Sequence, residues 1–382
     1  MRIGINSLFL VSGKGGGIER YLRGLVGGLK KIDKKNEYFI FTNRNCRGAF
    51  GFGENFHEIY CDVSAVFRPA KILWEQFVLP WQLKRHKIDI LLSAGNTAPV
   101  AHRCPSVAII YDMIPFIRPE GFNTIELLAL KTLFSLTAKT SSKIITISKS
   151  SQEEIVKRLK VSPDKVEIVY GSCDEYFKPV GDKGRSELQK YGISGEYILY
   201  VASSRPYKNI DGLIKAYRIM KERHHMGHKL VVVGLAGRAY PELMKLVKES
   251  KLEGDVIFCG FVNDEDLPLL YSLSYVFVYP SFYEGFGLPI LEAMSCGVPV
   301  AASHVTSIPE AVGNAGLLFD PYNVEEMAEV IYRLMIDSGL RESLIQKGYE
   351  WVKEFSWEKS AMRVLAVLSD TYTENRMFGR GI

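Results

Sequence analysis

The chain has 382 residues, of which 47% are hydrophobic and 24% are charged, a balance typical of a globular protein with more than one core. No apolar run approaches the roughly 20 residues that cross a bilayer, and we expect no signal peptide because a strand-like segment begins at Arg2. The six cysteines show no spacing typical of zinc sites, redox motifs or disulfide scaffolds, which fits a reducing cytosol.

Positive charge is concentrated in the first half. Residues 1–175 contain 25 Lys and Arg against 17 Asp and Glu, a net charge of +8, whereas residues 176–382 contain 23 against 26, a net charge of −3. A basic half indicates an anionic partner, such as phosphates, nucleic acid or a lipid surface. An ordinary scatter of surface lysines is the alternative.

The first half alternates short strands with helices. The strands are rich in Val and Ile and apolar on both faces, as in parallel strands buried under crossover helices. They are predicted over 3–9, 38–42, 89–93, 107–112, 143–148 and 165–170. Helical spacing of apolar residues predicts helices over 17–32, 70–86, 124–139 and 150–160.

The pattern restarts after a glycine-rich stretch near residue 175. Strands are predicted over 197–202, 229–234, 256–260, 276–280 and 298–302. Helices are predicted over 211–221, 241–250, 264–273, 288–295, 324–336, 340–353 and 357–372. We therefore predict an α/β protein with two Rossmann-like, doubly wound parallel-sheet domains that face a central ligand cleft. The first domain comprises residues 1–175, joined by the last helix (366–382), and the second comprises 176–365.

A glycine-rich segment, residues 13–17, follows the first strand and opens the first helix. Gly16 and Gly17 would let the backbone approach a ligand closely, and free N–H groups at the helix N-terminus would bind a phosphate. The segment has neither the nicotinamide-binding nor the P-loop spacing. A plain flexible turn is the alternative.

Two cations, Arg205 and Lys208, follow the first strand of the second domain. Arginine can fork onto phosphate oxygens and lysine can act as a point charge, so the pair suits a diphosphate at the carboxyl edge of the sheet. Exposed loop cations are the alternative.

A strand–turn–helix corner over residues 280–294 carries two carboxylates. Glu284 lies in the loop and Glu292 lies one turn inside the helix that Pro289 opens, so both can face one cleft. The amides of Gly285–Leu288 would point at an anion. A corner with one solvated glutamate is the alternative.

Together these motifs resemble the retaining GT-B glycosyltransferases of family 4, which include sucrose synthase-like enzymes and bacterial mannosyltransferases. The resemblance rests on Glu284-x7-Glu292, Arg205-x-x-Lys208 and Gly16-Gly17-x-Glu19-Arg20, in the family's order over nearly the whole chain. It implies transfer of a hexose from a nucleoside diphosphate sugar to a saccharide or lipid-linked saccharide acceptor in polysaccharide synthesis. Mannose from GDP-mannose is our first expectation, with UDP-hexoses next.

The resemblance also assigns residues. Arg205 and Lys208 hold the donor diphosphate, Glu284 binds the transferring sugar and Glu292 binds the ribose. Further donor contacts are expected at Gly16, Gly17, Ser204, Gly234, Val262, Gly285, Phe286, Gly287 and Leu288. No metal and no other cofactor is expected.

The chain departs from the family at Tyr111-Asp112, where the family often has His-Asp. Tyr111 cannot take a proton near pH 7 as a histidine can. Asp112 is a candidate catalytic residue that contacts the acceptor, and a turn or helix-capping role is the alternative.

Two metal-like patterns are given other interpretations. Asp264-Glu265-Asp266 has the DxD form of metal-dependent transferases, but it follows Asn263 and opens a predicted helix, so we interpret it as helix N-cap acids. The 224–228 histidine cluster is interpreted as an exposed helix end.

Residues 71–87 form an amphipathic segment with two tryptophans and a basic end. Peripheral contact with a membrane surface is one interpretation. A helix that covers the first sheet is favoured, because Pro80 would interrupt a long surface helix and similar stretches occur inside the family's first domain.

Two other functions remain as alternatives: a nucleotide-sugar epimerase or phosphorylase on the same plan, and a DNA-binding module. We locate no pyridoxal lysine for a phosphorylase and no basic-aromatic recognition segment for DNA, so no nucleic-acid partner is expected. The expected location is cytoplasmic, with peripheral contact at the inner face of the membrane.

Overall fold

The computed structural model describes residues 1–13, 16–235, 237 and 239–377 and divides the chain into two units. The first unit comprises Met1–Ser172 and the chain from Ser356 onward, and the second comprises Cys173–Phe355. The first unit thus ends at Ser172 rather than at 175. Residues 356–365, which we assigned to the second domain, belong to the first, and residues 378–382 of the predicted final segment lie outside the described residues.

The first unit is built on a seven-stranded parallel sheet of order β3-β2-β1-β4-β5-β6-β7. The strands are β1 (Arg2–Asn6), β2 (Glu37–Thr42), β3 (Phe56–Tyr60), β4 (Ile90–Ser93), β5 (Ser106–Ile109), β6 (Lys143–Thr146) and β7 (Val166–Ile168). The strand order reverses between β1 and β4, which makes this the switch point of a doubly wound sheet.

Helices cover both faces of this sheet. They are α1 (Gly16–Ile32), α2 (Arg68–Leu73), α3 (Leu79–Arg85), α4 (Ile114–Ile117), α5 (Thr124–Thr140), α6 (Lys149–Leu159) and α14 (Trp357–Met377). Leu22, Leu25 and Leu29 of α1 enter the core on one face, together with Val364 and Leu368 of α14. The last helix therefore belongs to the core of the first unit between Trp357 and Leu368.

A π-helical turn, Trp74–Val78, joins α2 to α3. The N–H of Leu79 reaches back five residues to the carbonyl of Trp74, and Pro80 occupies the first turn of α3. Proline has no N–H and clashes with the carbonyl four residues earlier, so the wider turn accommodates it. The helix predicted over 70–86 is thus three short segments.

The second unit has a six-stranded parallel sheet of order β10-β9-β8-β11-β12-β13. The strands are β8 (Tyr197–Val201), β9 (Lys229–Val233), β10 (Val256–Gly260), β11 (Val276–Tyr279), β12 (Val300–Ser303) and β13 (Gly316–Phe319). The helices are α7 (Ile210–His224), α8 (Tyr240–Glu249), α9 (Leu267–Ser272), α10 (Leu288–Ser295), α11 (Ile308–Val312), α12 (Val324–Ile336) and α13 (Ser338–Val352). The prediction of two doubly wound parallel sheets is confirmed.

Within the described ranges, the structure contains no helix with the length and hydrophobicity of a membrane-spanning segment.

Candidate active site

The candidate active site lies at the switch point of the second sheet, where β8 and β11 are neighbours. Because the two strands are parallel, the loops that follow them leave the same edge of the sheet side by side. The backbone N–H of Phe282 donates to the carbonyl of Tyr207 at 2.8 Å. This bond joins the loop that carries Arg205 and Lys208 to the loop that carries Glu284.

An ion pair between Lys208 and Glu284 forms the centre of the site. Lys208 Nζ lies 2.5 Å from Glu284 Oε1, and the two side chains are only 12% and 11% exposed. Burial lowers the pKa of Lys208, but the charge and hydrogen bond of Glu284 together with Tyr207 raise it by more, so the pKa lies above its ordinary value. Lys208 is therefore protonated at neutral pH. The structure brings together two residues that the sequence assigned to different parts of the donor.

Three tyrosines lie beside this ion pair. Lys208 Nζ donates to the hydroxyl of Tyr279 at 3.4 Å and lies 5.4 Å from the ring centre of Tyr207. The hydroxyl of Tyr200 is buried without a hydrogen-bond partner among the described residues, and burial and the Glu284 charge raise its pKa well above the ordinary value. A setting of low polarity strengthens the attraction between the two charges. Tyr200 and Tyr279 could not be recognised from the sequence, because tyrosines within buried strands look like core residues, and Tyr207 was given no role.

Arg205 differs from Lys208 in being exposed. It precedes a short 3₁₀ turn, Pro206–Lys208, and its guanidinium has no hydrogen-bond or ion-pair partner among the residues that the structure describes. The N–H of Lys208 donates to the Arg205 carbonyl at 2.9 Å, so one tight turn carries both cations, and the Arg205 charge lowers the pKa of Lys208. A free, forked cation beside a buried ion pair is suited to bind a diphosphate.

Asn209 fixes the first loop against the second, a role that the sequence analysis missed. Its side-chain amide donates to the carbonyls of Pro280 and Pro321, each at 3.0 Å, and the residue is 2% exposed. Its φ of +56° lies in the left-handed region, which asparagine tolerates better than most residues. Its place directly after Arg-x-x-Lys was the one available signal.

The backbone of Glu284 is held by the loop after β12. Its N–H donates to Thr306 Oγ1 at 3.2 Å, and its carbonyl accepts from Ser307 Oγ at 2.9 Å. Thr306 has φ +51°, which is unusual for a β-branched residue and costs on the order of 1–3 kcal/mol. No motif in the sequence pointed to this pair, which we call the Thr306-Ser307 clamp.

The turn into α10 holds the residues expected to bind the sugar and a phosphate. Gly285–Leu288 are all buried, and Gly287 has φ +118°. Pro289 occupies the first turn of α10, as predicted. The N–H groups at the start of this eight-residue helix are those that would face an anion.

Glu292 lies inside α10 and is 1% exposed. The hydroxyl of Tyr271, on α9, donates to Glu292 Oε2 at 2.8 Å. Its charge also raises the pKa of the thiols of Cys173 and Cys296, although burial is the larger cause for both. The ribose-binding role of Glu292 stays a prediction.

A cavity of about 190 Å³ lies at the carboxyl ends of β8, β9 and β10, with Ser204 and Gly234 in its lining. Gly234 has φ +145°, and a Cβ there would come within 2.0 Å of the carbonyl of Ala202, so only glycine fits. Ser204 Oγ donates to the carbonyl of Leu235 at 3.1 Å. Val262 is buried, so its backbone is the part of this residue that a base could contact.

Gly16 and Gly17 lie in the first unit, at the exposed N-terminus of α1. A Cβ on either residue would meet nothing within 4 Å. The N–H of Gly13 donates to both carboxylate oxygens of Glu19, in the first turn of α1, at 3.1 and 3.0 Å. Lys14 and Gly15 of the predicted glycine-rich loop lie outside the described residues.

Tyr111 and Asp112 follow β5 of the same unit. The Tyr111 hydroxyl donates to the carbonyl of Ala94 at 3.0 Å in the core, and burial and then Tyr21 raise its pKa well above the ordinary value. The Tyr111 side chain is therefore part of the core, and its phenol does not titrate near neutral pH. Asp112 Oδ1 accepts the N–H of Ile114 at 2.9 Å, which is the contact expected of the turn alternative.

Asp266 occupies the N-cap position of α9, as the sequence predicts, but its side chain does not cap the helix, which begins at Leu267. It accepts instead from Lys190 at 2.9 Å and from the hydroxyl of Tyr191, and these bonds lower its pKa. Across the described ranges, no three His, Cys, Asp or Glu side chains form a group that could hold a metal ion.

Two domains, each built on a Rossmann-like parallel sheet, are the architecture of the GT-B class of glycosyltransferases. The fold is similar to sucrose-phosphate synthase from Thermosynechococcus elongatus, with a TM-score of 0.79 and 20% identity over 98% of this chain and 100% of that chain. It is also similar to Anabaena HepE, solved in complex with UDP and glucose, with a TM-score of 0.75 and 20% identity over 97% and 99% of the two chains.

Sequence comparison identifies the family. The model of Glycosyltransferase Family 4 matches residues 15–175, and that of Glycosyl transferases group 1 matches residues 186–351. The O-antigen chain mannosyltransferase B of Escherichia coli is 35% identical over 291 residues, which cover 75% of each chain. The chain belongs to glycosyltransferase family 4, and the resemblance inferred from its motifs is confirmed.

Proposed function

We propose that the protein is a retaining mannosyltransferase that uses GDP-mannose. The observation that carries the proposal is the buried Lys208–Glu284 ion pair with the exposed Arg205 guanidinium near it at the switch point. The similarity to an O-antigen chain mannosyltransferase supports mannose as the sugar and a growing cell-surface polysaccharide as the acceptor.

The cations act on the leaving group. When the glycosidic bond to the diphosphate breaks, negative charge grows on the β-phosphate, and fixed cations stabilise it without reorganising. An ammonium has three donors, and Lys208 directs two of them to Glu284 and Tyr279. The third is left for a phosphate oxygen, while Arg205 forks onto the diphosphate from the exposed side.

The sugar lies on the other side of this ion pair. Glu284 accepts hydroxyls of the transferring hexose, and the N–H groups of the turn into α10 orient it. Glu292 binds the ribose. The departing phosphate takes the proton of the acceptor hydroxyl, and the acceptor oxygen bonds to the anomeric carbon on the face that the phosphate leaves. The anomeric configuration is therefore retained through a short-lived ion pair, without a carboxylate nucleophile.

We propose that no divalent metal takes part in this reaction. Enzymes with a metal-bound diphosphate use the ion to neutralise the leaving group. Here the two cationic side chains fulfil that role, so transfer measured in excess EDTA should proceed at the untreated rate. A rate restored only by Mg²⁺ or Mn²⁺ would refute this part of the proposal.

We also propose that the acceptor is lipid-linked and that the protein works at the cytoplasmic face of the membrane, in peripheral contact with it. The acceptor hydroxyl is then presented from the bilayer, and Asp112, at the carboxyl end of β5, contacts it. Asp112→Asn, which preserves the turn with Ile114, should lower transfer to the acceptor while donor binding is unchanged.

A donor screen tests the binding half of the proposal. Thermal unfolding is followed with GDP-mannose, UDP-glucose, UDP-galactose and the free nucleotides. The cognate donor at 100 times its dissociation constant should add about 2.7 kcal/mol to the free energy of unfolding. Arg205→Ala should remove this stabilisation and leave the unfolding of the free protein unchanged, because the side chain is exposed. Arg218→Ala, which removes an exposed arginine of α7, is the matched control.

A transfer assay tests the chemistry. With GDP-mannose and an isolated lipid-linked acceptor, we expect acceptor-dependent release of GDP, and proton NMR of the product should show an α-anomer, the configuration of the donor. Glu284→Ala should abolish transfer, and because it also removes one partner of the buried ion pair, its activity is measured at a temperature where circular dichroism shows the variant folded. Conversion of the donor to another sugar nucleotide without an acceptor would replace the proposal by an epimerase.

A further inference from the structure

The helical segment α2–α3 has apolar residues on two opposite faces. One face packs into a core beneath the first sheet, where Leu79 and Leu83 are 0% and 4% exposed. On the other face, Leu73, Phe77 and Trp81 are 59%, 75% and 57% exposed. Each of these three residues lies four positions, or about one helical turn, after the one before it, so their side chains form a line along the segment. The segment therefore both covers the sheet and presents an apolar stripe outward.

The stripe continues beyond the segment. Val66 and Phe67, directly before α2, are 69% and 63% exposed, and Ile125 and Leu128 of α5 are 84% and 69% exposed. An ion pair between Arg68 and Glu126 joins the starts of α2 and α5. We call Val66, Phe67, Leu73, Phe77 and Trp81 the outer apolar face. Concentration of so many large apolar side chains in one region is typical of an interaction surface rather than of ordinary surface scatter.

Apart from Glu126, which pairs with Arg68, the exposed charges at this face are positive. The exposed charged residues of the segment 66–87 are Arg68, Lys84, Arg85 and Lys87. Its single acid, Glu75, is 2% exposed and is bound by the Lys71 ammonium at 2.9 Å. The Arg85 guanidinium lies 5.5 Å from the ring centre of Trp81, so a cation and an indole meet at one end of the face. The surface thus pairs bulky apolar groups with exposed positive charge.

We propose that the outer apolar face is the docking surface for an anionic phospholipid bilayer. Its side chains would enter the boundary between headgroups and acyl chains, and Lys84, Arg85 and Lys87 would bind lipid phosphates. Trp81 would lie at the headgroup level, where amphipathic rings are stabilised. The inference rests on one part of the proposed function, the lipid-linked acceptor, which would bring the enzyme to a membrane.

A bilayer fits this surface better than a protein partner. A specific protein interface has a mixed polar rim with complementary charges, and lysine is depleted in it. Here the exposed charges of the segment are all positive, and the apolar side chains stand along one line, which suits a planar anionic surface. The face is also separable from folding, because its residues belong to none of the buried clusters of the described chain.

The test uses the full chain and sedimented vesicles. Wild-type protein should bind vesicles of phosphatidylethanolamine with about 30% phosphatidylglycerol and should not bind pure phosphatidylcholine. Leu73→Ser/Phe77→Ser/Trp81→Ser should weaken the partition at least about tenfold, since three large apolar side chains no longer leave water. Met244→Ser/Ile336→Ser/Met362→Ser, which removes three exposed apolar side chains elsewhere, is the matched control and should bind as the wild type does.

A charge arm separates the two contributions. Lys84→Glu/Arg85→Glu/Lys87→Glu should also weaken binding at least about tenfold, and high salt should weaken wild-type binding.

Failure of the wild type to bind anionic vesicles overturns the proposal, even if a protein then proves to cover the face. Equal binding by the apolar triple variant and the control also overturns it. Stabilisation of the same variants by the donor reports on the catalytic proposal independently, so either proposal can fail alone.

Discussion

The ammonium of Lys208 lies 2.5 Å from Oε1 of Glu284, so the proposed diphosphate contact and the proposed sugar contact are each other's partner. Removal of either side chain leaves the other charge buried and without this counter-charge. Arg205 is exposed and holds no partner among the described residues. The two cations of one motif should therefore respond differently to the same substitution.

Lys208→Ala should lower both stability and activity, whereas Arg205→Ala should lower activity alone. Loss of one partner of a buried ion pair costs about 3–5 kcal/mol, while an exposed arginine contributes little to folding. Each substitution should slow transfer on the order of 10²-fold or more, because each removes a cation that stabilises the leaving group. Urea unfolding and kcat at saturating donor measure the two effects.

Lys215→Ala is the matched control for this comparison. Lys215 is an exposed lysine one turn into the following helix, where it pairs with Asp211. Lys215→Ala should change the free energy of unfolding by no more than a few tenths of a kcal/mol and kcat by no more than about twofold. Equal destabilisation by Arg205→Ala and Lys208→Ala would contradict the arrangement described for the site.

The Thr306-Ser307 clamp predicts a separation of stability from activity. Thr306→Gly relieves the positive φ at +51° but removes the hydroxyl that accepts the N–H of Glu284. The variant should be at least as stable as the wild type, yet kcat should fall about tenfold because Glu284 is positioned less tightly. Thr306→Ser keeps the hydroxyl and should retain most of kcat. Full activity of Thr306→Gly would remove the positioning role.

Much of the fold could be predicted because buried parallel strands are recognisable in the sequence as short runs rich in Val and Ile. The two strands that the sequence analysis missed, β3 and β13, both lie at sheet edges. Only Phe56 of β3 and only Phe319 of β13 are fully buried, so neither strand shows a continuous apolar run. The sequence of β3, with His57 and Glu58 at its centre, shows neither a continuous apolar run nor a regular alternation of apolar and polar residues.

The site was predicted where its chemistry is local in sequence. Arg205-x-x-Lys208 and the glycine-rich turn after Glu284 were visible as motifs. Asn209 could not be recognised, because its two acceptor carbonyls lie 71 and 112 residues away along the chain. Thr306 is likewise defined by a bond to a residue 22 positions earlier. Such roles follow from the strand order, which places distant loops at one edge of the sheet.

Tyr111 gives a prediction about the departure from the family. Tyr111→Phe should cost about 1 kcal/mol, since it removes the hydrogen bond to the carbonyl of Ala94, and should leave the pH dependence of kcat between pH 6 and 9 unchanged. The pKa of this phenol is raised well above 10, so it does not titrate in that range. Tyr111→His should destabilise the core without raising activity. A loss of activity in Tyr111→Phe with normal unfolding would return a catalytic role to this position.

The packing of the last helix on the first gives the sharpest stability prediction. A Cβ on Gly24 would lie 2.0 Å from the Trp357 ring, whereas a Cβ on Gly27, in the same helix, would meet nothing within 4 Å. Gly24→Ala should therefore destabilise the protein by about 1–3 kcal/mol through overpacking. Gly27→Ala should stabilise it by up to about 1 kcal/mol, because alanine loses less backbone entropy in a helix. Urea denaturation of both variants measures the difference, and the same shift in both would mean that Trp357 does not hold α14 against α1.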